Sequence, residues 1–200
     1  ADAPYLIAAH DDLKHAYTDS AASATSMTSG IKTYNNAINV DFRGREVIPI
    51  ARRLQEQGYA VGAVTSVPIS HATPACAYAS NVHRNDYQDI TRDMLGRPSS
   101  YHPGGLSGLD VLLGCGWGEQ RDSDGGQGQN YVPGNRYLDS ADRDAISDEN
   151  GGKYVVVERT PGKSGSNLLR AAADSAAAEQ KRLFGFFGVT GGHLPYQTAD

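Results

Sequence analysis

Two cysteines, one tryptophan and two methionines are all this 200-residue chain contains of those types, and each scarcity removes a class of protein. Two thiols, Cys76 and Cys115, cannot staple a disulfide-rich scaffold; they read either as a pair or as two buried free thiols beside a helix and a strand end. No apolar run approaches the length of a membrane span, and the first residues show neither the charged n-region nor the h-region of a signal peptide. Basic residues are also in deficit, with 18 Lys and Arg against 23 Asp and Glu and a net charge of −5. They are scattered rather than gathered, which argues against a nucleic-acid surface. An anionic partner would therefore have to be drawn by a local cationic site.

What is present is alternation. Glu46 to Gln57 places Val47, Ile50, Ala51 and Leu54 at helical spacing and is closed by Gly58. Tyr59 to Val67 reads as a short buried strand, and Pro74 suits the first turn of a helix through Tyr78. Asp86 to Leu95 carries Ile90 and Met94 four apart on one helical face. Strands are expected at Leu109 to Leu113, Lys153 to Glu158 and Phe184 to Val189, and a helix at Ser166 to Arg182. This order predicts an α/β fold, a mainly parallel sheet with helices on both faces. Between Arg97 and Asn150, Gly, Pro, Ser, Asp and Asn dominate around the strand at Leu109, so residues 97–150 read as a loop-rich insertion. Within it DSDGG, Asp122 to Gly126, lacks the later glutamate of a calcium loop, and GCGWG after Leu113 lacks dinucleotide-loop spacing; both read as turns.

TDSAASAT, Thr18 to Thr25, sets a serine at the start of a helix. Asp19 is a good N-cap, the alanines are helix formers, and Gly30 stands where a C-terminal cap is expected. Ser20 then occupies the first helical position, where unpaired N–H groups and the positive end of the helix dipole favour a developing alkoxide or a phosphate oxygen. On capping chemistry alone, a capped helix packing small residues against a sheet is the commoner explanation of the segment, because such caps are common.

The longer run TDSAASATSMTSGIKTYNNAINVD, Thr18 to Asp41, resembles the nucleophile segment of the alkaline phosphatases, and HATPACAYASNVHR, His71 to Arg84, resembles the next motif of that family. Weaker likeness continues at LDVLLGCG, Leu109 to Gly116, and LFGFFG, Leu183 to Gly188. The resemblance implies one alkaline-phosphatase-like domain of which residues 1–200 are part, taken as the N-terminal half. It implies a metal-dependent phosphate monoester hydrolase in which Ser20 attacks phosphorus and becomes phosphoserine. Asp19 would help hold Arg84, whose guanidinium forks onto two phosphoryl oxygens as a lysine cannot. Two zinc ions would serve the nucleophile and the leaving group, with Ser20 touching one of them. Thr73 would be a hydroxyl ligand to a third metal, magnesium. His71 stands where some members have aspartate and others histidine, and imidazole suits hard magnesium poorly, so that site would be weaker or different.

The family's remaining zinc ligands have no counterpart here. Asp11 and Asp12 lack the right context and lie too close to Ser20, and the terminal TAD, Thr198 to Asp200, lacks the buried strand that precedes the family's TADH. His10, His15, His83, His102 and His193 make no pair at metal-ligand spacing and read as polar or loop residues. Residues 1–200 alone are therefore expected to be inactive. The resemblance also implies phosphate monoesters and inorganic phosphate as partners, a homodimer in the complete protein, and a periplasmic or secreted location. A superfamily phosphodiesterase and a non-catalytic phosphate-binding module are the rival readings.

Overall fold

The computed structural model describes residues 17–188. Helix α1, Ser20–Ser29, is followed by α2, Ile50–Glu56, strand β1, Gly62–Pro68, and two more helices, α3, Ala72–Ala75, and α4, Tyr87–Leu95. Strand β2, Val111–Cys115, precedes the short ladder of β3, Gln120–Arg121, with β4, Gly134–Asn135; then come α5, Ser140–Ile146, β5, Tyr154–Glu158, α6, Gly165–Ala178, and β6, Arg182–Phe186. The main sheet has the order β1-β2-β6-β5, and all three of its pairings are parallel. Parallel neighbours need crossovers, which α3 with α4 and, separately, α6 provide.

The two-residue period of the strands sorts side chains between two cores. Leu112, Val156, Phe184 and Phe186 face the larger one, with Ile90 and Met94 of α4, while Leu113, Val155, Val157 and Leu183 face α6 through Leu169, Ala172 and Ala176. Helices thus cover both faces, as the alternation predicts. Gly185 pairs with Leu113 across β2 and β6, and a Cβ there would approach Leu113 Cδ2 to 2.6 Å, so a larger residue would require the leucine side chain to shift.

Several expectations shift. Strand β1 is an edge strand among the described residues, and Val64 is 74% exposed; it is not a buried strand, because α6 covers β5 and β6 but not this margin. Helix α2 begins only at Ile50, after Pro49, and Glu46 instead bridges Val40 in extended backbone. Helix α3 begins at Ala72, two residues before Pro74, because a proline in the first turn gives up an N–H that has no helical partner anyway. Residues 97–150 contain not only β2 but also α5 and the β3–β4 ladder, whose short pieces fall below the reach of periodicity. Both cysteines are buried and they are not joined in a disulfide. Val189, the expected end of the last strand, lies outside the described residues, as do Asp11, Asp12, His10, His15, His193 and Asp200.

Candidate active site

Asp19 caps α1 as its spacing predicts. Its Oδ1 accepts the Ala22 N–H at 2.9 Å, and the helix closes on Gly30 in the left-handed region at φ 75°. Ser20 is the first helical residue and is exposed, and its hydroxyl makes no hydrogen bond among the described residues. The other helix positions explain why this end is held firmly. Ala21, Ala22, Ala24 and Thr25 are buried, small enough for α1 to lie close against α3, and Cys76 Sγ approaches Ala21 O at 3.4 Å. Burial pushes the Cys76 thiol up to about 11, so it is a packing group and not a nucleophile.

Arg84 reaches the same carboxylate from the second motif. Asp19 Oδ2 accepts from Arg84 Nη1 at 3.0 Å and from the Asn36 N–H at 2.9 Å. The backbone repeats the connection, since the Arg84 N–H donates to Asn36 O at 2.8 Å and Ile38 pairs with Asn81 through two bonds of 2.9 Å. Asn39, at φ 44°, secures the base of this strap by donating its amide to Cys76 O and Ala79 O, both at 2.8 Å. Residues 79–84 therefore form an extended strap laid against residues 36–40, and Arg84 ends it beside the start of α1. A carboxylate shared between a helix start and a guanidinium fixes a cationic fork near Ser20, an arrangement suited to binding a tetrahedral oxyanion.

His71 and Thr73 lie just past the carboxyl end of β1, where parallel sheets place their ligand sites. His71 is the N-cap residue of α3, and its ring stacks on Tyr87 at 5.5 Å and meets Tyr137 edge-on at 5.8 Å. Thr73 is the exposed second residue of α3. Among the described residues no group of three or more His, Cys, Asp or Glu is placed to hold a metal ion. A hydroxyl and an imidazole do not fit a two-zinc cage, so the described residues by themselves do not supply a full set of metal ligands. Asp124 of DSDGG is held by Arg136 at 2.5 Å and by the Gly126 N–H, a charge-neutralised turn.

Sequence reasoning missed the surroundings of the strap. Ser80, His102, Asp93 and Glu46 form one hydrogen-bonded cluster, and His102, read as an ordinary loop residue, touches both carboxylates. No spacing could have shown this, because Glu46 and His102 are 56 residues apart. Beyond Arg84, the loop at 124–130 docks by its backbone, with the Gly128 N–H on Asp86 Oδ1 at 3.0 Å. Burial lifts the Asp86 carboxyl above the usual range.

With this geometry in place, three comparisons bear on it. The family described as alkaline phosphatase matches residues 6–199. Alkaline phosphatase 4 of Bacillus subtilis is 39% identical over 109 residues, 53% of this chain but 22% of the relative. The cold-active alkaline phosphatase of a Shewanella species superposes with a TM-score of 0.58 at 25% identity, covering 92% of this chain and 35% of its own. A variant of the alkaline phosphatase of the Antarctic bacterium TAB5, described with Mg bound in its M3 site, superposes at 0.58 and 24% identity over 89% of this chain and 40% of its own, and shows the shared fold. The chain thus spans about a fifth of the first of these proteins and roughly a third of the second.

Proposed function

The chain belongs to the alkaline phosphatase family, and from that premise we propose that it carries the nucleophile and phosphate fork of a phosphate monoester hydrolase working through phosphoserine at Ser20. The observation that carries this reading is the Asp19 carboxylate, which caps the helix beginning at Ser20 and holds Arg84 Nη1 at 3.0 Å. In the first step the Ser20 Oγ–P bond forms as the ester P–O bond breaks, and the alcohol leaves carrying the proton given up by the serine. Water then cleaves the Ser20 phosphoester, releasing inorganic phosphate and restoring the hydroxyl. Arg84 neutralises two non-bridging oxygens through both steps, and the N–H groups of the first turn of α1 add the positive end of its dipole.

Zinc and magnesium belong to the proposal as Lewis acids for the complete site. Thr73 and His71 are this chain's candidate contribution to a magnesium site and Ser20 to a zinc site, with further ligands needed from outside the described residues. A homodimer working in the periplasm or outside the cell is part of the same reading.

The test is acid quench of the complete polypeptide bearing these residues, saturated with inorganic phosphate, zinc and magnesium, followed by peptide mass spectrometry. Phosphate on Ser20, absent from Ser20→Ala, is expected. Phosphate on another residue overturns the assignment, and tight phosphate binding with no adduct favours the non-catalytic module.

A further inference from the structure

We infer that His102 is a positioning residue for Arg84, acting as a doubly donating imidazolium that locks the base of the strap at residues 79–84. The inference rests on the phosphatase reading only for what Arg84 is there to do. His102 Nδ1 lies 2.9 and 3.0 Å from the two oxygens of Asp93, and Nε2 lies 2.7 Å from Glu46 Oε1. An ionised carboxylate only accepts, so an imidazole facing one from each nitrogen must carry both protons to satisfy both contacts. A neutral ring would turn a lone pair against one of them.

Both carboxylates also hold Ser80. The Ser80 N–H donates to Asp93 Oδ2 at 3.0 Å and its Oγ donates to Glu46 Oε1 at 3.1 Å, while Ser80 itself is 1% exposed. Four residues later the strap ends in Arg84. The imidazolium thus clamps helix α4, through Asp93, to the extended segment at Glu46, with the first residues of the strap between them.

The surrounding charges are consistent with this state. From α4 come Asp93 and, one turn earlier, Asp89, which accepts the Ser100 N–H at 3.0 Å. Glu46 is paired with Arg52 of α2. The loop of His102 itself supplies Ser99, bonded to Asp93, and the Tyr101 ring at 6.5 Å. Asp93, Glu46, Arg52 and a charged His102 sum to neutrality, whereas a neutral His102 leaves one buried negative charge in excess. The Asp93 hydrogen bond lifts His102 above the ordinary histidine range against its burial, with Glu46 adding to the lift. Glu46 is pulled upward by burial but held below the usual carboxylate range by Arg52 and His102. A raised histidine contributes its full stabilisation below its unfolded pKa and loses it as pH rises through the folded value. The lock is therefore closed below the ordinary histidine range and opens as pH rises through the raised folded value.

The test is amide hydrogen exchange on the full chain, corrected for intrinsic rates, across a pH series in which His102 is followed by imidazole NMR; neither phosphate nor metal is present. Protection at Ser80, Asn81 and Arg84 should fall about ten- to a hundredfold as His102 loses its proton, the range for losing one charge-assisted hydrogen bond. His102→Gln should lack this pH step and show the lowered protection throughout. Glu46→Gln should move the His102 titration and the step to lower pH together. Strap protection that stays level while His102 titrates, or a loss confined to residues 97–105, overturns the inference, and the wild-type profile decides it even if a variant fails to fold. Because no ligand is used, this outcome is independent of whether Ser20 is phosphorylated.

Discussion

Replacing Asp19 separates its two roles. Oδ1 caps α1 through the Ala22 N–H, while Oδ2 accepts from both the Asn36 N–H and Arg84. In Asp19→Asn the amide oxygen can keep the cap, but its NH2 group then faces two donors; flipped, it serves them and abandons the cap. A hydrogen bond to a charged group contributes about 1.5–3 kcal/mol when shielded. The Asp19 and Arg84 side chains are 21% and 25% exposed, so solvent takes part and the lower end applies. Asp19→Asn should therefore cost about 1–2 kcal/mol, and Asp19→Ala, which also loses the cap, about 1 kcal/mol more. At roughly 2–4 °C per kcal/mol for a domain of this size, the alanine variant should melt about 5–10 °C lower. Urea and thermal unfolding of both variants beside wild type check this. A loss below about 0.5 kcal/mol for Asp19→Ala would show that Asp19 does not join α1 to Arg84.

Arg84→Lys keeps the charge but loses the fork, so inorganic phosphate should inhibit the complete enzyme about one to two orders of magnitude less well; an unchanged inhibition constant would place Arg84 away from the bound anion. The 200-residue chain supplied with zinc and magnesium at alkaline pH should show no robust, Ser20-dependent cleavage of p-nitrophenyl phosphate, because the metal ligands are not grouped among its described residues. Turnover abolished by Ser20→Ala would send attention to Asp11, Asp12, His193 and Asp200. With its thiol pushed up to about 11, Cys76 has only about one molecule in a thousand ionised near pH 8, so a disulfide reagent should modify it only on unfolding; fast labelling of the native chain would contradict its burial.

Local chemistry was legible because it depends on neighbours in the chain. The cap at Asp19, Ser20 at the first helical position, Gly30 in the left-handed region and the alternation of strands with helices all follow from side-chain type at short spacing, and the structure has each of them. The same spacing overextended α2 across Pro49 and missed α5, since pieces of seven residues carry too little periodicity to stand out from loop composition. Non-local placement belongs to the tertiary structure. Nothing in the order of segments says that β6 inserts between β2 and β5, where the folded sheet pairs it in parallel with both. Nor does it say that β1 lies at the margin with Val64 in solvent. Asp19 and Arg84 stand 65 residues apart, and the strap pairing through Ile38 and Asn81 is what closes that distance to an ion pair. For His102, proton affinity follows from which acceptors surround the ring, and only the fold brings Asp93 and Glu46 to its two nitrogens.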